Sequence, residues 1–197
     1  MVAKRVFDLV LAVVLIAVLL PLILVLALSI KVSSREPILH WSKRVGKNNK
    51  LFLMPKFRTM RLDTPQLATH VFSNAEDYLT PLGHFLRRAS LDELPQLWSI
   101  VVGDLSFVGP RPALFNQNDL VALRTAQGIH LLAPGLTGWA QVNGRDELPL
   151  SVKLQYDHEY LLRQSFIFDL KIMVMTPFAV LRGEGQHRVQ DKGDSFS

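Results

Sequence analysis

The sequence predicts an α+β protein: an N-terminal, proline-broken, membrane-embedded helix of re-entrant type, followed by a small, mostly helical domain with short strands and interfacial helices. Three observations carry that prediction. The run from Leu9 to Ile30, LVLAVVLIAVLLPLILVLALSI, holds no charged residue and would be roughly 33 Å long as a helix, enough to cross a bilayer. Pro21 interrupts it near the middle, where the ring removes a backbone donor and bends the axis. Beyond it, short alternating strands and stretches of helical period share the chain with Gly- and Pro-rich connections.

The apolar run is too long for a removable leader and ends at Lys31 without a small-x-small cleavage site. Basic residues flank it on both sides: Lys4 and Arg5 before it, and Lys31, Arg35, Lys43, Arg44, Lys47 and Lys50 after it. A spanning helix concentrates positive charge on one side, so this pattern favours a bent helix that enters one leaflet and returns at a break at Leu20-Pro21. An ordinary kinked spanning helix is the other reading, because proline is tolerated within spans. The chain divides into this segment at 1–35, an interfacial domain at 36–182, and a polar, flexible tail at 183–197.

Gly46-Lys47-Asn48-Asn49 predicts a hairpin turn between two short strands. Residues 61–79 read as a surface loop with a helical turn around Asn74 to Tyr78. Thr80-Pro81 predicts a helix start as N-cap and first helical residue, with Leu82, Phe85, Leu86 and Ala89 on one face and Arg87 and Arg88 closing it. A second helix is expected from about Pro95 to Val102, stopped by Gly103, and a short buried strand over Leu105 to Val108. That strand leads into Gly109-Pro110-Arg111-Pro112, where Pro110 and Pro112 make a stiff, extended loop that holds Arg111 as a phosphate fork. The later loop LAPGLTGWAQVNGRDELP carries three glycines, Gly135, Gly138 and Gly144, suited either to close approach of a ligand or to plain turn geometry. Residues 151–164 have an amphipathic helical pattern. SFIFDLKIMVMTPFAVL is apolar but broken by Asp169, Lys171 and Pro177, so it lies along a membrane surface or packs in the core.

The 197 residues suit one domain of ordinary size, and 22 Lys+Arg against 17 Asp+Glu give a charge of +5 that favours anionic partners. Nucleic acid is not expected among them, since no helix-turn-helix with a basic face is present. With no cysteine, disulfide and thiolate chemistry are excluded, and the six histidines show no metal-ligand spacing. No P-loop, dinucleotide fingerprint or internal repeat occurs.

Asp92 and Glu93 stand side by side in RRASLDELPQLW. Ser90-Leu91-Asp92-Glu93 has capping-box spacing, which would make Glu93 structural. Pro95 argues against a cap at Ser90, because it would then fall inside the helix. A helix starting at Pro95 instead leaves both carboxylates at its approach, among free N–H groups that favour anions.

The chain resembles the monotopic phosphoglycosyl transferases, a bacterial sugar transferase family. The resemblance rests on KRVFD at 4–8, the proline-broken apolar segment, KFRTM at 56–60, LRRASLDELPQLW at 86–98, GDLSFVGPRP at 103–112, PGLTGWAQVNGR at 134–145 and SFIFDLKI at 165–172. It implies transfer of a phosphosugar from a UDP-sugar to a polyprenol phosphate with release of UMP and a requirement for Mg²⁺. It also implies residence in the bacterial inner membrane with the catalytic domain facing the cytoplasm. Asp92 then matches the nucleophile and a metal-binding residue, and Glu93 its partner, a base or an orienting group. Arg111 would hold phosphates, with Arg88, Arg145 and Arg58 as further candidates. Leu20-Pro21 stands where many members have Ser-Pro, Ser42 where glutamine is common, and Pro55 where an aromatic or aliphatic residue is usual. Larger members add transmembrane helices and a further domain, so the chain is expected to be the minimal form; homo-oligomerisation is left open. Two rival classes share parts of the pattern. A membrane-tethered scaffold needs no carboxylate pair, and an aspartyl phosphohydrolase of the common class would show D-x-D-x-T, which is absent.

Overall fold

The computed structural model describes residues 2–34, 36–64, 75–144 and 148–181. The apolar run forms α1 (Val2–Ser33), 32 residues with Pro21 inside. The expected interruption at Leu20-Pro21 is not a gap in this helix, because a proline removes one donor while the turns on either side keep their bonds. Among the described residues α1 is the one helix long and apolar enough to cross a membrane.

Packing divides α1 into two faces. Asp8, Ala12, Leu15, Leu19, Ile23, Leu26 and Ile30 recur every three or four residues, forming one stripe that lies against the rest of the protein. Val10, Val13, Val14, Val18, Leu24, Val25 and Leu28 on the other side are half or more exposed.

The N-terminal turns are fastened by polar contacts. Lys4 Nζ pairs with Asp169 Oδ2 at 2.6 Å and donates to the Val108 carbonyl at 3.1 Å. Arg5 donates to the carbonyls of Ile100 (2.5 Å) and Val101 (2.8 Å), placing a cation at the negative end of the helix that contains them. Buried Asp8 accepts from Ser106 Oγ at 2.8 Å and from the Phe107 N–H at 3.4 Å. Lys4 and Arg5 are thus engaged within the protein and do not form a basic flank at the N-terminal end of the apolar run.

β1 (Leu39–Val45) and β2 (Leu51–Phe57) pair antiparallel, from Leu39 opposite Phe57 to Val45 opposite Leu51. Their turn is the expected one, a 3-10 segment at Lys47–Asn49 with Asn48 and Asn49 at φ 55° and 59°, which asparagine tolerates. A further 3-10 turn at Ala75–Tyr78 matches the helical turn read there. α2 (Gly83–Arg88) begins later than predicted. Thr80 is buried and turned toward Thr59, with its N–H 2.9 Å and its hydroxyl 3.3 Å from that carbonyl, so the hydroxyl caps no helix. Of the predicted apolar face only Leu82 and Leu86 reach the core; Phe85 is 58% exposed.

α3 (Gln96–Val102) ends at Gly103, whose φ of 98° is left-handed. β3 (Ser106–Val108) runs parallel to β4 (Gly135–Thr137), with α4 (Asn118–Ala126) and a 3-10 turn at Ile129–Leu131 between them. α5 (Trp139–Val142), α6 (Leu150–Arg163) and α7 (Phe166–Leu181) complete the chain. α7 packs in the core through Phe168, Ile172 and Ala179, which are buried, while Ile167, Val174 and Phe178 are at least 60% exposed. One core joins the first half of α1 to α3, β3, α6 and α7, and a second joins its last turns to Phe57 and Leu86.

Replacing Lys4 by Met leaves Asp169 buried without its cation. We expect a loss of about 3–5 kcal/mol, read by denaturant unfolding in detergent.

Candidate active site

Asp92 and Glu93 lie in a single 3-10 turn, Leu91–Glu93, just ahead of α3. Pro95 is the N-cap of that helix with φ −61°, as the sequence requires of a residue that cannot sit deeper. The capping box does not form. Ser90 is left-handed at φ 54° and its side chain makes no cap bond, while the Glu93 N–H donates to the Ser90 carbonyl at 3.3 Å. Glu93 is therefore free of a capping duty, and its side chain turns toward cations.

Lys56 Nζ meets Glu93 Oε1 at 2.8 Å, and Arg111 Nη2 approaches the same oxygen at 3.5 Å. Burial opposes ionisation of Glu93, but Lys56, then Arg111, with hydrogen bonding from Lys56 and Gln96, outweigh it and hold the carboxyl at about 2. The Gln96 amide is buried beside the pair, yet its Nε2 has no partner of good geometry. Asp92 behaves oppositely. Burial raises it most, Lys56 counteracts, Glu93 raises it further, and Arg87 and Arg111 lower it, leaving it above the ordinary carboxylate range. One carboxylate is fixed as an anion, and its neighbour, 7% exposed, is pushed toward protonation by desolvation.

Arg111 is held by its backbone. Pro110 and Pro112 have no N–H, so the loop's carbonyls are its handles, and four in succession are bonded. Pro110 O accepts from Gly135 N (3.0 Å), Arg111 O from Arg124 Nη1 (2.8 Å), Pro112 O from Arg44 Nη1 (3.2 Å) and Ala113 O from Val45 N (2.9 Å). Arg124 is itself fixed by Asp157 Oδ2 at 2.6 Å and 3.0 Å. The glycines of the later loop serve this support: a Cβ on Gly135 or Gly138 would stand 2.1 Å from the Gly109 backbone. Plain geometry, rather than ligand approach, accounts for these two.

The structure brings Asp92, Glu93 and Arg111 together. Arg58 is used elsewhere, donating to the carbonyls of Pro37 (3.0 Å) and Leu39 (3.3 Å), where it braces the entry to β1. Arg88 is exposed at the end of α2, and Arg87 is the one of the two whose charge reaches Asp92. Arg145 lies outside the described residues. Lys56 and Gln96 were not singled out from the sequence. Strand alternation could have found Lys56, since it shares the inward face with buried Met54 and a lysine there needs an anion.

Among the described residues no group of three or more His, Asp or Glu gathers to hold a metal alone. The adjacent carboxylates do suit Mg²⁺, which takes one or two carboxylates together with substrate phosphates and water.

Substituting Lys56 by Met should raise the Glu93 carboxyl from about 2, checked by ¹³C-carboxyl titration. Because its folded value lies below the ordinary glutamate value of 4.5, the stability that Glu93 contributes is present above 4.5 and lost as pH falls through about 2; the substitution moves that loss to higher pH.

A family model described as bacterial sugar transferase matches residues 1–183. The chain is 40% identical over 188 residues to a UDP-glucose:undecaprenyl-phosphate glucose-1-phosphate transferase of Xanthomonas campestris pv. campestris, covering 91% of this chain and 39% of that protein. It is 36% identical over 184 residues to a protein of the same name from Escherichia coli (strain K12), covering 89% of this chain and 39% of that protein. An uncharacterized sugar transferase, EpsL, of Bacillus subtilis (strain 168) is 38% identical over 185 residues, covering 94% of this chain and 90% of that one. The chain thus spans well under half of two relatives and nearly all of the third, and the family read from its motifs is borne out: it belongs to the bacterial sugar transferase family.

Proposed function

We propose that this chain transfers a phosphosugar from a UDP-sugar to a polyprenol phosphate, undecaprenyl phosphate in particular, releasing UMP and leaving a polyprenyl diphosphate sugar. This is a first membrane step of surface-glycan synthesis. The observation that carries the proposal is the buried Asp92 beside a Glu93 neutralised by Lys56 and Arg111. Relatives support it through their names, which specify UDP-glucose and undecaprenyl phosphate as substrates.

In the first step an Asp92 oxygen attacks the sugar-bearing phosphorus, forming an acyl-phosphate bond as the bond to UMP breaks. In the second, an oxygen of the polyprenol phosphate attacks that phosphorus and the Asp92 carboxylate is restored. Desolvation makes the carboxylate a stronger nucleophile, while Lys56, Arg111 and Arg87 offset its repulsion from the anionic donor. Glu93, held ionised to about pH 2, is a poor proton acceptor at neutral pH and suits an orienting or cation-holding role better than that of a base. Mg²⁺, held by Asp92 and Glu93, would supply charge neutralisation at the transferring phosphoryl group. The rigid Pro110-Arg111-Pro112 loop presents its guanidinium beside the pair, where a diphosphate would lie.

α1 supports a placement at the membrane. Both its first half and its last turns pack on the domain, so its two ends stay near one body, as in a helix that enters and leaves a single leaflet. We assign that leaflet to the cytoplasmic side of the inner membrane, where a UDP-sugar is available.

Substitution of Asp92 by Asn should lower kcat more than about 10³-fold. Wild type mixed with UDP-sugars and Mg²⁺ without lipid should gain the mass of one phosphosugar, discharged by polyprenol phosphate. Lipid-dependent UMP release with no adduct in rapid-quench samples would replace two steps with direct transfer, and no UMP release would overturn the reading. The acid limb of kcat/KM should follow Asp92, whose value is raised, and so fall at higher pH than an ordinary aspartate would give.

A further inference from the structure

The β1–β2 hairpin has two unlike faces. Antiparallel register puts His40, Ser42, Arg44, Met54 and Lys56 on one side, and Lys56 there reaches Glu93. On the other side lie Leu39, Trp41, Lys43, Leu51, Leu53, Pro55 and Phe57. At one end of this second face Leu39 and Phe57 pack into the core with Leu26 and Ile30 of α1. Away from that end Trp41, Leu51 and Leu53 are 50%, 53% and 57% exposed. Phe115 extends the patch: its N–H donates to Lys43 O at 3.4 Å, and Lys43 Nζ sits 5.6 Å from its ring centroid. An apolar strip thus begins at the last turns of the membrane helix and continues outward across the sheet, with exposed Lys43, Lys47 and Lys50 along it and at the turn.

We propose that this outer face of the hairpin is a membrane-contact surface, with Trp41, Leu51, Leu53 and Phe115 seated among lipid headgroups and Lys43, Lys47 and Lys50 facing anionic phosphates. Three features select lipid as the occupant: adjacency to the last turns of the long apolar helix α1, a tryptophan at the boundary of apolar and polar surface, and positive charge beside it. The hairpin then forms a wall between bilayer and site, apolar toward lipid and carrying Lys56 toward Glu93. The proposal rests on the reading that α1 is embedded in a bilayer.

The chain has no cysteine, so single cysteines can report depth directly. A nitroxide would be attached in turn at Trp41→Cys, Leu53→Cys, Val18→Cys on the exposed side of α1, and Gln155→Cys on the exposed side of α6, each in the full chain in phosphatidylcholine/phosphatidylglycerol vesicles. Labels at 41 and 53 should shift toward oxygen and away from a water-soluble nickel quencher relative to 155, less deeply than 18. Omitting phosphatidylglycerol should reduce that shift. If 41 and 53 match 155 while 18 reads lipid, the hairpin proposal fails alone. Dipolar broadening between labels at 53 would give this face to a second copy and overturn it as well. If 18 also reads water, the membrane reading itself fails.

Discussion

Two adjacent carboxylates withdrawn from water are intrinsically unfavourable, and much of the domain can be understood as making Asp92 and Glu93 tolerable without cancelling both charges. Uncompensated burial would protonate them. Lys56 and Arg111 compensate one almost fully, and the other is left poised by its surroundings. This division requires cations from two separate parts of the fold: Lys56 from a strand and Arg111 from a loop after β3. Neither could be freely mobile, since a charge that drifts into water would lose most of its effect.

Rigidity of the Arg111 loop comes from an arrangement that favours proline. A chain with no N–H at two of three positions cannot satisfy itself through local turns, so its carbonyls recruit donors from β1, α4 and the start of β4. Arg124 is central here because its guanidinium bridges a loop carbonyl and the buried Asp157 of α6. The loop is thereby tied to three elements, and the position of Arg111 beside Glu93 follows from the fold rather than from its own side-chain preference.

α1 contributes to the same scaffold. Arg5 covers the carbonyl end of α3, whose opposite end follows the carboxylate pair, and Lys4 bonds the Val108 carbonyl just ahead of the proline loop. The long apolar helix is therefore structurally part of the domain. A displacement of α1 would be transmitted toward the carboxylate pair and the Arg111 loop through these short, partly buried contacts.

Local signals in the chain were enough for much of this. Asn-rich turn residues specified the hairpin, Pro95 and Gly103 bounded α3, and paired prolines specified a stiff Arg111 loop, because each of these residues restricts its own backbone. The motifs likewise identified the family and the carboxylate pair. What the sequence could not contain was direction and partnership. Arg58 and Arg111 look alike as arginines near motifs, but the carbonyls of Pro37 and Leu39 take one and Glu93 takes the other. Ser90 and Glu93 have the spacing of a cap, yet Pro95 and a left-handed Ser90 send the glutamate to Lys56. In α1 the ambiguity is greatest. Lipid and protein core both select apolar side chains, so the composition fixes a long apolar helix, and only tertiary packing decides that Ala12, Leu26 and Ile30 face the domain while Val14, Val18 and Leu28 face outward.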